Sequence, residues 1–246
     1  MTVLTALLLV VFVMLGRWQW GRAEAKEALA RDFAAGAAAS MAAPQPLLER
    51  GTAALPRYAQ VAVQGEWDAA RQFLLDNRTR DGRAGYEVLT PLRLADGRRL
   101  LVNRGWLPFG GRRDELPEVA SGLPGGTVTL RGRLDELPTA GLASGRAAPP
   151  LEGPWPRVTS FPQPAELAAA LAVGGRGAEG AGPAAVRLEP RVLLLDAAEP
   201  AGYRRDWRPF AKGPEQNVSY AVQWWSFGVL LLVLFVKMNL KAKDQT

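Results

Sequence analysis

The sequence predicts a membrane protein of the α+β class, with two transmembrane helices flanking one mostly antiparallel, β-rich domain. Three observations carry this. Uncharged apolar runs stand at both ends, Thr2–Gly16 and Val218–Val236. Short stretches with two-residue alternation, separated by turn residues, fill the middle. Helical patterns outside the spans are few, so the middle is expected to have a β-barrel or sandwich-like core with helical additions.

The boundaries follow in order. Residues 1–20 form the first transmembrane helix. The run is short for a span, and Trp18 and Trp20 stand where interfacial anchors are found. A signal peptide is the competing reading, but a positive start and a clear small-residue cleavage site are missing. Residues 21–45 are a helical extension and linker: Arg22–Ala39 is rich in Ala, Glu, Lys and Leu, and Pro44 and Pro46 end it. Residues 46–212 make the β-rich domain. Val61, Val63 and Trp67 alternate in a first strand. Gln72–Leu75 is a second strand, with Asp76-Asn77 starting a turn. Gly85–Leu92 is a third, with Tyr86, Val88 and Thr90 on one face. Asp96-Gly97 is a hairpin signal leading into Arg99–Trp106. Thr127–Leu134 and Val186–Asp196 are further strands. Between them lies an irregular insertion, about 138–185, with a short helix at Ala165–Val173 and a Gly-rich loop at Gly174–Pro183. Residues 213–237 are the second transmembrane helix and 238–246 its tail. The uncharged run Val218–Val236, at about 1.5 Å per residue, nearly crosses a hydrocarbon core of about 30 Å.

Composition narrows the function. The chain has 246 residues and a net charge of +6, but its Arg residues are scattered and no basic helix stands out. A membrane surface accounts for that balance, and no nucleic-acid partner is expected. The absence of Cys removes disulfides, thiol chemistry and Cys-ligated metals. The absence of His removes imidazole acid–base catalysis and the usual copper sites. Gly175-x-Gly177-x-x-Gly180 follows an Ala-rich helix rather than a strand and is read as loop, not as a dinucleotide site. Gly141-Leu-Ala-Ser144-Gly lacks nucleophile-elbow spacing. The carboxylate pairs Asp114-Glu115 and Asp135-Glu136 lie in turn-like sequence beside proline and are read as solvated charge. No Lys lies between Lys26 and Lys212 to serve a Ser–Lys nucleophile. The chain is therefore expected not to be an enzyme; a carboxylate-dependent membrane enzyme is the remote alternative.

Two places combine polar and aromatic residues in ways a plain anchor or strand does not need. One is Asn103-Arg104-Gly105-Trp106 at a strand end, read either as a bulge, with Gly taking an unusual φ, or as a contact site. The other is the start of the last span, where Asn217, Tyr220, Gln223 and Trp224 interrupt the apolar pattern. Lipid cannot satisfy polar groups at that depth, so Tyr220, Gln223 and Trp224 are expected to form a polar face toward protein or ligand. Arg and aromatic residues crowd both membrane borders: Trp18, Trp20 and Arg22, then Tyr203, Arg204, Arg205, Trp207 and Arg208. They suit anchoring, or a lipid or tetrapyrrole with propionates. Charges alone leave the orientation open. Lys237, Lys241 and Lys243 favour a cytoplasmic C-terminus, while basic residues on the domain side of both spans pull the other way. The positive-inside rule is weak for so long a loop.

The ordered set of motifs resembles the surfeit locus protein one family of cytochrome c oxidase assembly factors, in a bacterial type. The set runs Leu15-Gly-x-Trp18-Gln19-x-x-Arg22-x-x-x-Lys26; Tyr58; Val61-x-Val63-x-Gly65-x-Trp67; Gly85-Tyr86-Glu87-Val88-Leu89-Thr90-Pro91-Leu92; Leu101-Val102-Asn103-Arg104-Gly105-Trp106; Leu130-x-Gly132; and Pro214-Glu-Gln-Asn-Val-Ser-Tyr220-Ala-x-Gln223-Trp224. Residues 135–185 contribute little. The resemblance implies a multi-pass protein of the cell (plasma) membrane, with both termini cytoplasmic and the domain extracytoplasmic. It implies help in building oxidase subunit one alongside other assembly factors, as a haem-insertion chaperone or scaffold, with haem a as cofactor and Asn217, Tyr220, Gln223 and Trp224 at the cofactor site. The family's His stands three residues before the Tyr of the last helix, and here that place is Asn217. An amide is a poor haem-iron ligand beside imidazole, which argues against axial ligation at this position. Met14, Tyr220 or an oxidase-side ligand could substitute. A ligand-free interaction scaffold in respiratory-complex assembly is the alternative.

Overall fold

The computed structural model describes residues 2–38, 51–140, 145–173, 186–210 and 212–243. The Gly175–Gly180 pattern, Ser144 and the Pro44–Pro46 break fall outside them. The chain divides into two compact units, Met1–Ala34 with Arg208–Thr246, and Ala35–Trp207.

The first unit is an antiparallel helix pair. Helix α1 spans Thr2–Ala38, so span and extension are one continuous helix. The last helix, α3, spans Pro214–Lys243. Pro214 opens α3 because a first-turn residue needs no N–H partner and its φ is already helical. Both helices are long and apolar enough to cross a membrane. They meet along seams with alternating spacings of three and four: Phe12, Gly16, Gln19, Ala23 and Lys26 on α1, and Asn217, Ala221, Trp224 and Gly228 on α3. That spacing keeps one stripe facing its partner. Gly16, Ala23, Ala221 and Gly228 are buried, while most large apolar residues off the seam are exposed. Between helices in lipid the attraction is packing, so small seam residues that let backbones approach carry the association. A Cβ at Gly16 would lie 2.1 Å from Trp225 Nε1, so only glycine seats that indole. Phe12 stacks on Trp224 with centroids 5.9 Å apart.

Among the described residues, the second unit contains seven strands, one α-helix of its own and a 3₁₀ turn at Thr52–Ala54. The strands are β1 (Gln60–Trp67), β2 (Phe73–Arg80), β3 (Arg83–Arg93), β4 (Arg99–Pro108), β5 (Thr127–Glu136), β6 (Arg157–Thr159) and β7 (Leu188–Leu195); the helix is α2 (Pro164–Ala172). Their order is β1-β5-β7-β4-β3-β2-β6, and an added β1–β3 pairing closes β1, β5, β7, β4 and β3 into a ring. The ring is a small barrel. Val61, Val63, Leu92, Leu100, Val102, Leu130, Leu134, Leu193 and Leu195 come from all five strands and fill its interior. The alternate residues Leu89, Leu101, Val192 and Leu194 form a second core with Phe73, Leu75 and the Leu167–Leu171 face of α2. A third cluster, Leu74, Tyr86, Val88 and Val119, lies where β2 and β3 run on beyond the ring.

The sheet is mostly antiparallel, as the sequence predicts, but β4–β7 and β2–β6 pair in parallel. Strand β6 was not foreseen in the irregular insertion. Asp76-Asn77 does not start a turn: β2 continues to Arg80, and the register shifts between Leu75 and Arg78. Asn77 takes φ 60° there. The true hairpin is Asp81-Gly82, with φ of 49° and 73°, the positive pair that a two-residue turn between twisted strands requires. At the foreseen hairpin, Asp96-Gly97 joins β3 to β4, and the Asp96 carboxylate accepts the Arg98 N–H at 3.0 Å.

Candidate functional site

The helix pair holds a polar cluster on its seam. Lys26 Nζ donates to Asn217 Oδ1 at 2.6 Å and to the Gly213 carbonyl at 3.3 Å. Asn217 Nδ2 donates to Gln19 Oε1 at 2.7 Å. The heptad spacing of α1 brings Gln19 and Lys26 to one face, two turns apart, and Asn217 enters between them from the second turn of α3. Asn217 is 9% exposed, and both ends of its amide are engaged. Its chemistry here is that of a clamp between helices, with an ammonium shared by an amide and a helix-entry carbonyl. Gln19 and Lys26 belong to the motif set, yet their role was not read from the sequence. Their i, i+7 spacing was the available signal.

The other predicted residues separate around α3. Trp224 shares the seam with Asn217 and packs on Phe12 and Phe227. Tyr220 is 44% exposed and Gln223 is exposed, both turned away from α1. Tyr220 and Gln223 therefore share a face with each other but not with Asn217. At the membrane border, Arg22 lies over the Trp18 ring at 5.2 Å, and Trp20 Nε1 donates to Glu24 at 2.9 Å.

In the barrel domain, Asn103–Trp106 is a bulge and a polar junction together. Glu87 pairs with Trp106 and Leu89 with Asn103, so two residues of β4 oppose one of β3. Gly105 absorbs the bend at φ 109°. Arg104 is 2% exposed: Nε donates to the Ala201 carbonyl at 2.7 Å, and Nη1 to the Val119 carbonyl at 2.7 Å and to Gln72 Oε1 at 3.1 Å. Its guanidinium lies over the Tyr203 ring at 5.0 Å. Burial pushes Arg104 below its ordinary value, with Tyr203 opposing. Asn103 Nδ2 donates to Glu87 at 2.9 Å, and Arg78 and Arg80 approach the same carboxylate at 3.7 and 3.5 Å. Trp106 Nε1 donates to the Arg78 carbonyl at 2.8 Å, and its indole lies where a Cβ on Gly85 would be, 2.4 Å from that nitrogen. The motif residues Gly85, Glu87 and Asn103–Trp106 are thus one interlocked patch. Its work is to tie the 197–207 segment and the 109–120 loop to β3 and β4.

The carboxylate pairs meet arginines. Asp114 and Glu115 flank Arg112 at 2.7 and 3.1 Å, and Asp135 and Glu136 flank Arg57 at 2.7 and 3.5 Å. A surface groove of about 330 Å³ is lined by Leu137, Pro138, Phe161, Pro162, Pro164 and Pro190, with Arg146 at its edge already paired to Glu166.

Comparison with known proteins bears on the whole arrangement. A SURF1-like protein of Dictyostelium discoideum is 43% identical over 49 residues, a stretch covering 20% of this chain and 18% of that protein. The chain thus aligns with under a fifth of that relative's length. The model of the SURF1 family matches residues 6–229, reaching from within α1, through the barrel, into α3. The chain belongs to the SURF1 family, known in general for cytochrome oxidase assembly.

Proposed function

We propose that this chain is a non-catalytic assembly factor for haem a-containing cytochrome c oxidase, acting on subunit one together with other assembly factors. It works from the cell membrane with both termini cytoplasmic and the barrel domain on the opposite side. The observation that carries this reading is the family match over residues 6–229. The geometry supports it: the motif residues form a helix clamp and a buried domain patch, and the candidate carboxylates are held by arginine.

Within that reading, position 217 favours a scaffold over an iron-ligating carrier. The residues present do not fit haem ligation there. Asn217 Oδ1 accepts from Lys26, its Nδ2 donates to Gln19, and the chain has neither imidazole nor thiolate. Haem a contact through Tyr220, Gln223 or Met14, all on exposed faces of the helix pair, is the second form of the same function.

Deleting the gene and measuring haem a content and oxidase activity tests the assembly role. Both are expected to fall, and unchanged values overturn it. An absorption spectrum of protein purified from cells making haem a separates the two forms. The scaffold form gives no Soret band, while a stoichiometric band would establish the haem-carrying form.

A further inference from the structure

Helix α3 carries a second stripe of polar and aromatic residues that α1 leaves exposed, although the Phe227 ring at its end borders Phe12 of α1, with centroids 6.1 Å apart. Ser219, Tyr220, Gln223 and Phe227 recur at spacings of three and four, and all are exposed. At 3.6 residues per turn their line is rotated by about 120° from the Asn217–Ala221–Trp224–Gly228 seam. A third face, Val222, Val229 and Val236, is wholly apolar and exposed, as a lipid-facing surface requires.

Gln223 decides what the second stripe is for. About 12 Å of helix rise separates it from Glu215 and about 21 Å from Lys237, which places it inside the hydrocarbon region. The hydroxyl of Ser226 satisfies itself by donating to the Val222 carbonyl at 2.8 Å. A glutamine amide, with two donors and an accepting oxygen, has no such escape, and no hydrogen bond joins Gln223 to another described residue. Acyl chains offer it nothing. The other amide of this helix shows how the fold meets the same demand: Asn217 is matched by the Gln19 amide from the neighbouring helix.

We infer that the Ser219–Tyr220–Gln223–Phe227 stripe docks a transmembrane helix of another polypeptide, one that carries an amide or hydroxyl side chain at the depth of Gln223. A second copy of this chain fits less well. A two-fold parallel pairing along the stripe would set Tyr220 against Tyr220 and Phe227 against Phe227, one on each side of the glutamines, and hold the backbones apart. An unlike helix can place small residues opposite both rings and let the amide reach its partner.

Photo-crosslinking in the full chain, in its host membrane, tests this. A benzoylphenylalanine replaces Phe227, and in a control it replaces Val229. The expected result is an adduct at position 227 with a peptide from an apolar segment of a different polypeptide, holding Asn, Gln, Ser or Thr within one turn of the linkage. That adduct should be lost in Gln223→Leu, retained in Gln223→Asn, and absent at position 229. Leucine inserts more readily than glutamine, so membrane levels of Gln223→Leu should hold and are measured alongside. Adducts only with lipid, an adduct only with a second copy, or an adduct indifferent to Gln223→Leu would each overturn the proposal. No arm reads oxidase activity, so this inference fails or stands apart from the assembly reading.

Discussion

Arg104 shows what a single residue does in this domain. Three oxygens from separate segments, at Gln72, Val119 and Ala201, converge on one guanidinium. Methionine would fill the volume but leave the Val119 and Ala201 carbonyls without their donor, while Gln72 Oε1 keeps only the Thr90 hydroxyl at 2.6 Å. Arg104→Met is therefore expected to lower stability by about 2–4 kcal/mol, measured by denaturant titration of the full chain in detergent. Arg104→Lys should recover only part of the loss, since a point charge cannot fork toward three directions. The bulge at this site was legible in the sequence, because a glycine between an apolar strand and a tryptophan is a local signal. The burial of Arg104 was not. Arginine is ordinarily exposed, and the segments that bury it lie far away in the chain. The same holds for Asn217. Its neighbours Lys26 and Gln19 are nearly two hundred residues away, and only the helix pairing brings them within reach.

Among elements, the helix pair and α2 each rest on a local device that can be switched off. A leucine at Gly16 would occupy the Trp225 indole's place, so Gly16→Leu must push the α1–α3 seam apart. We expect a loss of at least about 1–3 kcal/mol, seen as a lowered Tm in detergent with secondary structure retained. Helix α2 is capped by Glu166, which accepts the Gln163 N–H at 2.9 Å. That bond holds the Glu166 carboxyl below the usual carboxylate range, against slight desolvation, and Arg146 adds to the lowering. A carboxyl lowered on folding stabilises above its unfolded value of 4.5 and loses that contribution as pH falls through the folded value. The stability difference between the wild type and Glu166→Gln should therefore shrink as pH is taken from about 5 to about 3, followed by thermal melts. Elements with local signatures were legible: both spans, the Asp96-Gly97 hairpin and α2. Strand β6 was not. It is three residues long, sits at a sheet edge and pairs as a strand with β2, its other bonds coming from the Arg157 and Thr159 side chains. Asp76-Asn77 misled because Asn accepts positive φ in a bulge as readily as in a turn.

For the molecule as a whole, the class was legible because lipid and water impose different patterns: uncharged runs at the ends and alternation between them. The short, turn-separated strands pointed to a barrel or a sandwich, and ring closure decides between them. It is a pairing between β1 and β3 that leaves no mark on either strand's own sequence. The closure is also narrow. Strands β1 and β5 pair from Gln60 to Glu66, whereas β1 and β3 pair at Glu66↔Arg93 and Trp67↔Leu92, with one backbone bond just beyond, from the Asp68 N–H to the Pro91 carbonyl at 2.9 Å. Amide hydrogen exchange should find Glu66 and Trp67 less protected than Val61 to Val63, with opening there well below the global unfolding free energy. Equal protection along β1 would contradict this. The two-residue closure gives the barrel a clasp. When it lets go, β1 remains zipped to β5 while β3 gains a bare edge at Leu92–Arg93, so the domain can gape on one defined side without unravelling.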